Sequence, residues 1–356
     1  MITFPELPGV AINLYLLIFV GLGAGILSGF AGVGGAFIVT PALIILGFPA
    51  NFAVGTSLAW VAGNSVVGVF RHGKLGNVDA KLGIVMVVAS MSGMEVGVRM
   101  LNSVRDRGLA DEVVLSVAIG MLFIVGSYTM LESMRRKREL DRILQTGGQA
   151  PPAMRAPSLS RRLHSINLPP MLYFTKSGIT MSLWVILAIG FFIGMLAGIM
   201  GVGGGFIMVP ALVYVVGLPA FMAVGTDLFQ IIFSASYGCI RHTMSSNVVI
   251  FAAFIMVLAS CIGVQFGVVV TRYVRGVSVR IMLGISILLF AVGTTLKLVG
   301  VLVGEVAGWA EVASVAVTFS ALGLILIMIV ALFIMALRYR GGHRIPGWAE
   351  SLVFNE

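Results

Sequence analysis

The chain has 356 residues, 59% of them hydrophobic and 10% charged, with a mean hydropathy of +1.07. Soluble domains carry about 25% charged residues, so a water-solvated globule of this composition is excluded and lipid is the expected solvent. The 23 Lys and Arg against 14 Asp and Glu give a formal charge of +9, but the basic residues fall between apolar runs, where they read as topology signals and not as a nucleic-acid surface.

In chain order the apolar runs that predict membrane spans are Ala11–Phe30, Asn51–Phe70, Lys81–Leu101, Glu112–Leu131, Met181–Met200, Phe221–Ile240, Val248–Val270, Arg280–Val299 and Glu311–Leu337. Most reach the roughly 20 residues that a bilayer requires. No basic stretch precedes Ala11, so the first run reads as a span and not as a cleaved signal. Two further apolar segments, Ala36–Gly47 and Gly205–Gly217, would cover only about 18–20 Å as helices and are too short to cross. The connector 133–180 carries Arg135, Arg136, Lys137, Arg138, Arg142, Arg155, Arg161, Arg162 and Lys176, and also Gly147-Gly148, Pro151-Pro152 and Pro169-Pro170. It reads as a flexible cytoplasmic linker. Counting crossings from it puts the N-terminus outside and the C-terminus inside. Cys239 and Cys261 lie in apolar runs, where they read as small hydrophobes. They form no metal-ligand spacing, so neither a metal nor a cofactor is expected.

The chain also repeats itself. Gly29-Phe30-Ala31-Gly32-Val33-Gly34-Gly35-Ala36-Phe37 returns as Gly198-Ile199-Met200-Gly201-Val202-Gly203-Gly204-Gly205-Phe206, and each copy continues to a Pro-Ala-Leu step. Ala53-Val54-Gly55-Thr56 returns as Ala223-Val224-Gly225-Thr226, and Arg71-His72 as Arg241-His242. The offset is 169 at the glycines and 170 at the Arg-His pairs, as one residue inserted before Gly217 requires. The first half contributes an odd number of elements, so the second enters from the opposite side. The expected fold is an all-α polytopic membrane protein of two inverted repeats, each with a Gly-broken helix and a short half-helix, about nine full spans plus two short membrane segments. The repeats are placed at 1–132 and 181–300, the basic linker at 133–180, and a last helix and cytoplasmic tail at 301–356.

The glycine motif is not a dinucleotide loop, because Phe37 takes the place of its third glycine and no βαβ context surrounds it. Glycines that break a helix at membrane depth expose the next helix's first N–H groups to a ligand. Substrate contact is therefore expected at Gly32, Gly34, Gly35, Ala36 and Phe37, and at Gly201, Gly203, Gly204, Gly205 and Phe206. Gly21, Gly25, Gly29, Gly190, Gly194 and Gly198 recur every fourth residue and read instead as helix-packing positions. Polar residues on the next span add Thr56, Ser57 and Asn64, with Thr226, Gln230 and Ser234 in the other half. Asp227 reads either as a proton-coupling carboxylate or as a helix N-cap. Glu95, equivalent to Gln265, reads either as the i,i+4 partner of Arg99 or as a second proton carrier. Arg71, His72, Arg241 and His242 are expected to attract anions at two mouths. Gly55-Thr56-Ser57-Leu58 has the pattern of an intramembrane serine protease, but His72 lies about 22 Å along the same helix, too far to act as its base.

The paired glycine motifs, the Ala-Val-Gly-Thr steps and the Arg-His ends resemble the sulfite exporter TauE/SafE family, also called the toluene-sulfonate uptake permeases. The resemblance covers roughly residues 11–131 and 181–299. It implies a multi-pass carrier of the bacterial inner membrane for sulfite, related sulfur oxyanions or organosulfonates, usually an exporter and sometimes an importer. Its partners would be a small anion and the lipid bilayer, not nucleic acid, and a homo-oligomer is left open. Ala36, in place of the third glycine, and the long basic connector depart from the family pattern. The alternatives left open are an anion channel of the same fold, or a sensor or assembly protein acting through the linker.

Overall fold

The computed structural model describes residues 2–7, 11–31, 35–74, 76–145, 168–271, 273, 276–303 and 307–340. A short antiparallel hairpin, β1 (Ile2–Thr3) with β2 (Ala11–Ile12), leads into α1 (Leu14–Ala31). There follow α2 (Ala36–Ile45), α3 (Ala50–Lys74), α4 (Ala80–Arg105) and α5 (Ala110–Gln145). A second hairpin, β3 (Met171–Phe174) with β4 (Ile179–Ser182), leads into α6 (Leu183–Met200). Then come α7 (Gly205–Ala211), α8 (Ala220–Met244), α9 (Ile250–Thr271), α10 (Gly276–Val303) and α11 (Ala307–Arg340). Eight of the described helices are long and apolar enough to cross a membrane. Their outward faces carry large apolar side chains, Ile262 being 70% and Ile327 71% exposed, as a lipid-facing surface requires. The chain is thus an all-α polytopic membrane protein, with two small hairpins among the described residues.

Three expectations are corrected. The first of the nine predicted spans begins as a helix at Leu14 and not at Ala11, because Ala11–Ile12 pair with Ile2–Thr3. The segment read as a flexible linker is helical at its start, since α5 runs on to Gln145. Its far end is not free: Ser177 donates through its N–H (3.2 Å) and its hydroxyl to Asp79 Oδ2. Lys176 Nζ donates to the Val78 carbonyl (3.2 Å), and Lys81 Nζ to that of Tyr173 (2.7 Å). The segment 146–167 lies outside the described residues.

The repeat reaches into the hairpins. Phe4 and Phe174 stand 170 apart and are both buried. Phe4 lies 6.3 Å from Phe251 between ring centroids, while Lys81, 170 positions before Phe251, holds its ammonium 5.6 Å over Phe174. The inserted residue before Gly217 also has a structural form. After α7 the chain makes a π turn, Leu212–Val216, which Gly217 closes in a left-handed conformation. One extra residue in a helix is housed in this way, and Pro210, which cannot donate to the ladder, lies two residues before the turn starts.

The halves exchange partners. α1 packs along α9 and α4 along α6; α3 crosses α8, and α5 lies on α10. The four-residue glycine spacing explains the first two contacts, because it keeps every glycine on one face where backbones can touch. A Cβ at Gly21 would lie 2.7 Å from the Met256 carbonyl oxygen, and one at Gly25 2.6 Å from that of Ser260. Gly194 and Gly198 approach the carbonyls of Ser90 and Met94 in the same way. The crossing pairs run antiparallel: Gly68 faces Leu228 while Gly238 faces Leu58, and Gly126 faces Ile287 while Gly284 faces Met130.

Each crossing helix also holds the loop that enters the other half's fourth helix. Thr56 Oγ1 accepts from Val249 N and Thr226 Oγ1 from Asp79 N, each at 3.0 Å. Asn51 Nδ2 donates to Asn247 Oδ1 at 2.7 Å beside the first of these. Thr56→Val and Thr226→Val should each cost about 1–3 kcal/mol, because a buried N–H loses its acceptor. Thermal unfolding in detergent measures this, and unchanged midpoints in both variants would show that the threonine acceptors add nothing.

Candidate functional site

The two helix breaks are the starting point. α1 ends at Ala31, and Gly35 (φ 64°) caps the start of α2. Gly32 and Gly34 lie outside the described residues, as does the side chain of Ala36. In the second half α6 closes on Gly201 (φ 71°), and Gly203 (φ 66°) and Gly204 (φ 83°) turn the chain into α7. Three left-handed residues within four positions stop a helix and restart it in a new direction. The Gly204 carbonyl accepts from Ile207 N and Met208 N. The N–H groups of Gly205 and Phe206, at the very start of α7, have no intrahelical acceptor. The starts of α2 and α7 meet through fully buried Phe37 and Phe206, whose ring centroids are 5.9 Å apart, with Phe290 edge-on to Phe37 at 6.4 Å.

The α3–α8 crossing borders these breaks. A Cβ at Gly203 would lie 2.6 Å from Val61 Cγ1 on α3 and 3.6 Å from Ile231 Cγ2 on α8, and Gly201 lies against Val54. Ser57 and Asn64 share the helical face of Val54 and Val61, and Asp227 and Ser234 that of Ile231. All four are buried. Asn64 Nδ2 donates to Ser28 Oγ (3.0 Å), and Gly35 packs against Ser28, which ties Asn64 to the first break. On α8, Gln230 Nε2 donates to Asp227 Oδ1 (3.1 Å), and Ser234 Oγ to Gln230 Oε1 (3.4 Å). Among the described residues Ser57 Oγ, Asn64 Oδ1 and Asp227 Oδ2 have no hydrogen-bond partner. Asp227 lies two turns inside α8, so the N-cap reading is overturned.

Thr40 was not singled out in the sequence. It stands one turn beyond Phe37 on α2, is 1% exposed, and its hydroxyl has no partner among the described residues. Its signal is weak, because Val209 occupies the equivalent place in the second motif. Ser28 was hidden inside a glycine-rich apolar run. Trp60, the counterpart of Gln230, donates Nε1–H to the Met256 carbonyl at 3.2 Å.

The Arg-His ends part company in the structure. His242 is fully buried with its Cβ against Gly55, and His72 packs in the same way on Gly225. Arg241 turns the other way, to Glu95: Nε reaches Oε2 at 2.7 Å and Nη2 reaches Oε1 at 3.0 Å. Tyr237 OH donates to the same Oε2 (2.8 Å) and Arg99 Nε to Oε1 (2.7 Å). The expected Glu95–Arg99 ion pair is present, within a larger cluster that joins α4 to α8. The Arg71 side chain lies outside the described residues.

The family described as sulfite exporter TauE/SafE has a model that matches residues 17–294. The chain is similar to the probable membrane transporter protein YunE of Bacillus subtilis, 24% identical over 77% of this chain and 94% of that one. It is similar to the probable membrane transporter protein YjnA of the same organism, 24% identical over 66% of this chain and 84% of that one. It is also similar to the probable membrane transporter protein MJ0441 of Methanocaldococcus jannaschii, 28% identical over 55% of this chain and 60% of that one. No solved structure gives a significant match.

Proposed function

Because the chain belongs to the sulfite exporter TauE/SafE family of membrane transporters, we propose that it is a secondary carrier of a sulfur-containing anion. Sulfite, a related oxyanion or an organosulfonate would cross the bacterial inner membrane by alternating access, in the direction of export. The observation that supports this most is the meeting of the two short-helix starts at Phe37 and Phe206, beside a stripe of buried hydroxyl and amide groups. Helix starts present N–H donors and positive potential without placing a full charge in the membrane. The anion would lie among the N–H groups of 34–37 and 203–206, with Ser57, Asn64, Thr56, Thr226, Gln230 and Ser234 around it. Asp227 would carry a coupled proton, since one of its oxygens has no partner, whereas Glu95 already receives four donors. Arg71, His72, Arg241 and His242 would attract anions to the mouths. Antiparallel pairing of equivalent helices supports an inverted arrangement of the repeats.

Proteoliposome flux with sulfite, thiosulfate, sulfate, taurine and sulfoacetate tests the proposal. Saturable flux that collapses with the pH gradient is expected for one or more of these anions. Uncoupled, non-saturating flux would instead identify a channel, and no flux of any anion would reject the assignment. Orientation is tested by labelling in a background lacking Cys239 and Cys261. Cysteine at Gly148 should react only from the cytoplasmic side and cysteine at Ser246 only from outside. Reaction of both from one face would reject the inverted arrangement.

A further inference from the structure

The two Arg-His ends differ in one respect that the repeat itself exposes. Arg241 has its counterpart in Arg71, but Glu95, 146 positions from Arg241, has its counterpart in neutral Gln265. Tyr237 is matched by Val67 and Arg99 by Val269. The arginine is common to both halves; the acid and its other two donors belong to one. The helix pair α3–α9 is built at the equivalent place without a carboxylate, so the architecture does not demand one there.

The Glu95 carboxylate sits in a donor set suited to any oxyanion. Arg241 grips it side-on with two N–H groups, and Tyr237 and Arg99 add one donor each. Side-on guanidinium contacts are the strongest and most directional way to hold such an anion. Two guanidinium groups against one carboxylate leave a surplus positive charge. The cluster also lies at the surface of the helix bundle and is not sealed inside it: the side chains of Glu95, Arg241 and Arg99 are 19%, 29% and 73% exposed.

We propose that Glu95 is a tethered competitor for the transported oxyanion. At the mouth formed by Arg241, an entering anion exchanges with the Glu95 carboxylate for the same donors; no covalent bond forms or breaks. At the Arg71 mouth the corresponding side chain is uncharged, and no such exchange is needed. Glu95 therefore makes the two faces of the carrier unequal in affinity. This rests on the carrier reading above. The plainer role for the cluster is an ion pair that anchors α4 to α8, and the experiment must separate the two.

The full chain is reconstituted in one orientation in liposomes of neutral phosphatidylcholine, and the sulfite concentration for half-maximal flux is measured at each face. Glu95→Gln should lower that concentration at the Arg241 face by about tenfold, the effect of one strong hydrogen-bonded pair, and leave the other face unchanged. Gln265→Glu should raise it at the Arg71 face alone. Glu95→Asp keeps the charge on a shorter stem and should fall between wild type and Glu95→Gln, giving a second reading if the amide variant folds poorly. Equal shifts at both faces, or changes confined to maximal rate and thermal stability, would reduce Glu95 to an anchor. A face difference that appears only with phosphatidylglycerol present would mean that lipid phosphate contests the cluster, and would overturn the proposal. Absence of saturable wild-type flux would overturn it together with the carrier reading; normal wild-type flux with unaltered Glu95→Gln affinities would overturn it alone.

Discussion

Valine at Gly204 is expected to abolish anion flux and anion-dependent thermal stabilisation in a protein that still reaches the membrane. Gly204 has φ 83°, and a Cβ there would lie 3.0 Å from Ile193 Cγ2. A β-branched residue does not adopt that conformation without strain of about 1–3 kcal/mol. The relief available is local: the chain rotates toward a helical or extended conformation, and the N–H groups of Gly205 and Phe206 swing away from the meeting point with α2. The membrane helices on either side keep their packing, so assembly survives while the donor geometry does not. Ala36→Gly is the control, since the second copy carries Gly205 at that place, and it should transport normally. Flux and sulfite-induced thermal shift in the Gly204→Val protein measure the effect. Wild-type values for both would show that the break serves packing alone and that the anion binds elsewhere.

Gly93→Ala should be among the most destabilising single-methyl additions in the chain. Gly93 lies where α4 meets α6, and a Cβ there would collide with the Phe191 carbonyl and lie 2.8 Å from Met195 N. These are backbone atoms of a packed helix and cannot rotate aside as a flexible side chain does. The two helices must separate, and the glycine contacts above and below, Gly97 on Met195 and Gly194 on Ser90, separate with them. The expected loss is about 3 kcal/mol, at the upper end for overpacking. Gly263, 170 positions on, meets the Leu22 carbonyl on α1 in the same way, and Gly263→Ala should behave alike. Gly120→Ala, with no neighbour within 4 Å, should be neutral or stabilising by about 0.5–1 kcal/mol through helix propensity. Thermal unfolding of the three variants in one detergent compares them. A Gly93→Ala midpoint equal to that of Gly120→Ala would mean that α4 and α6 are not held at backbone contact.

Much of this architecture could be read from local pattern. Glycines at every fourth residue marked the faces where α1 meets α9 and α6 meets α4, because helical periodicity alone puts them on one stripe. The glycine clusters marked the breaks at Gly35 and Gly201–Gly204, since only glycine takes successive left-handed conformations freely. The Glu95–Arg99 pair followed from i,i+4 spacing.

What escaped depends on residues far apart in the chain. The hairpins at 2–12 and 171–182 are two to four residues per strand, too short for a period to register, and the second is held by Asp79 and Lys81 from another element. The hydroxyls of the threonines in the Gly-Thr steps accept from Val249 N and Asp79 N, contacts created when the halves cross and invisible in either copy alone. Asp227 looked able to cap a helix until α8 proved to start at Ala220.

Composition, hydrophobic run length and the internal repeat thus determined by sequence alone that this is a two-half membrane protein with a broken helix in each half. The antiparallel crossing of α3 and α8, the tilted ring contact of Phe37 with Phe206 and the capture of Arg241 by Glu95 were decided only by tertiary structure. Run length and periodicity are properties of neighbouring residues, whereas each of those three contacts joins residues more than 140 positions apart, which meet only when lipid-driven helix packing brings the halves together.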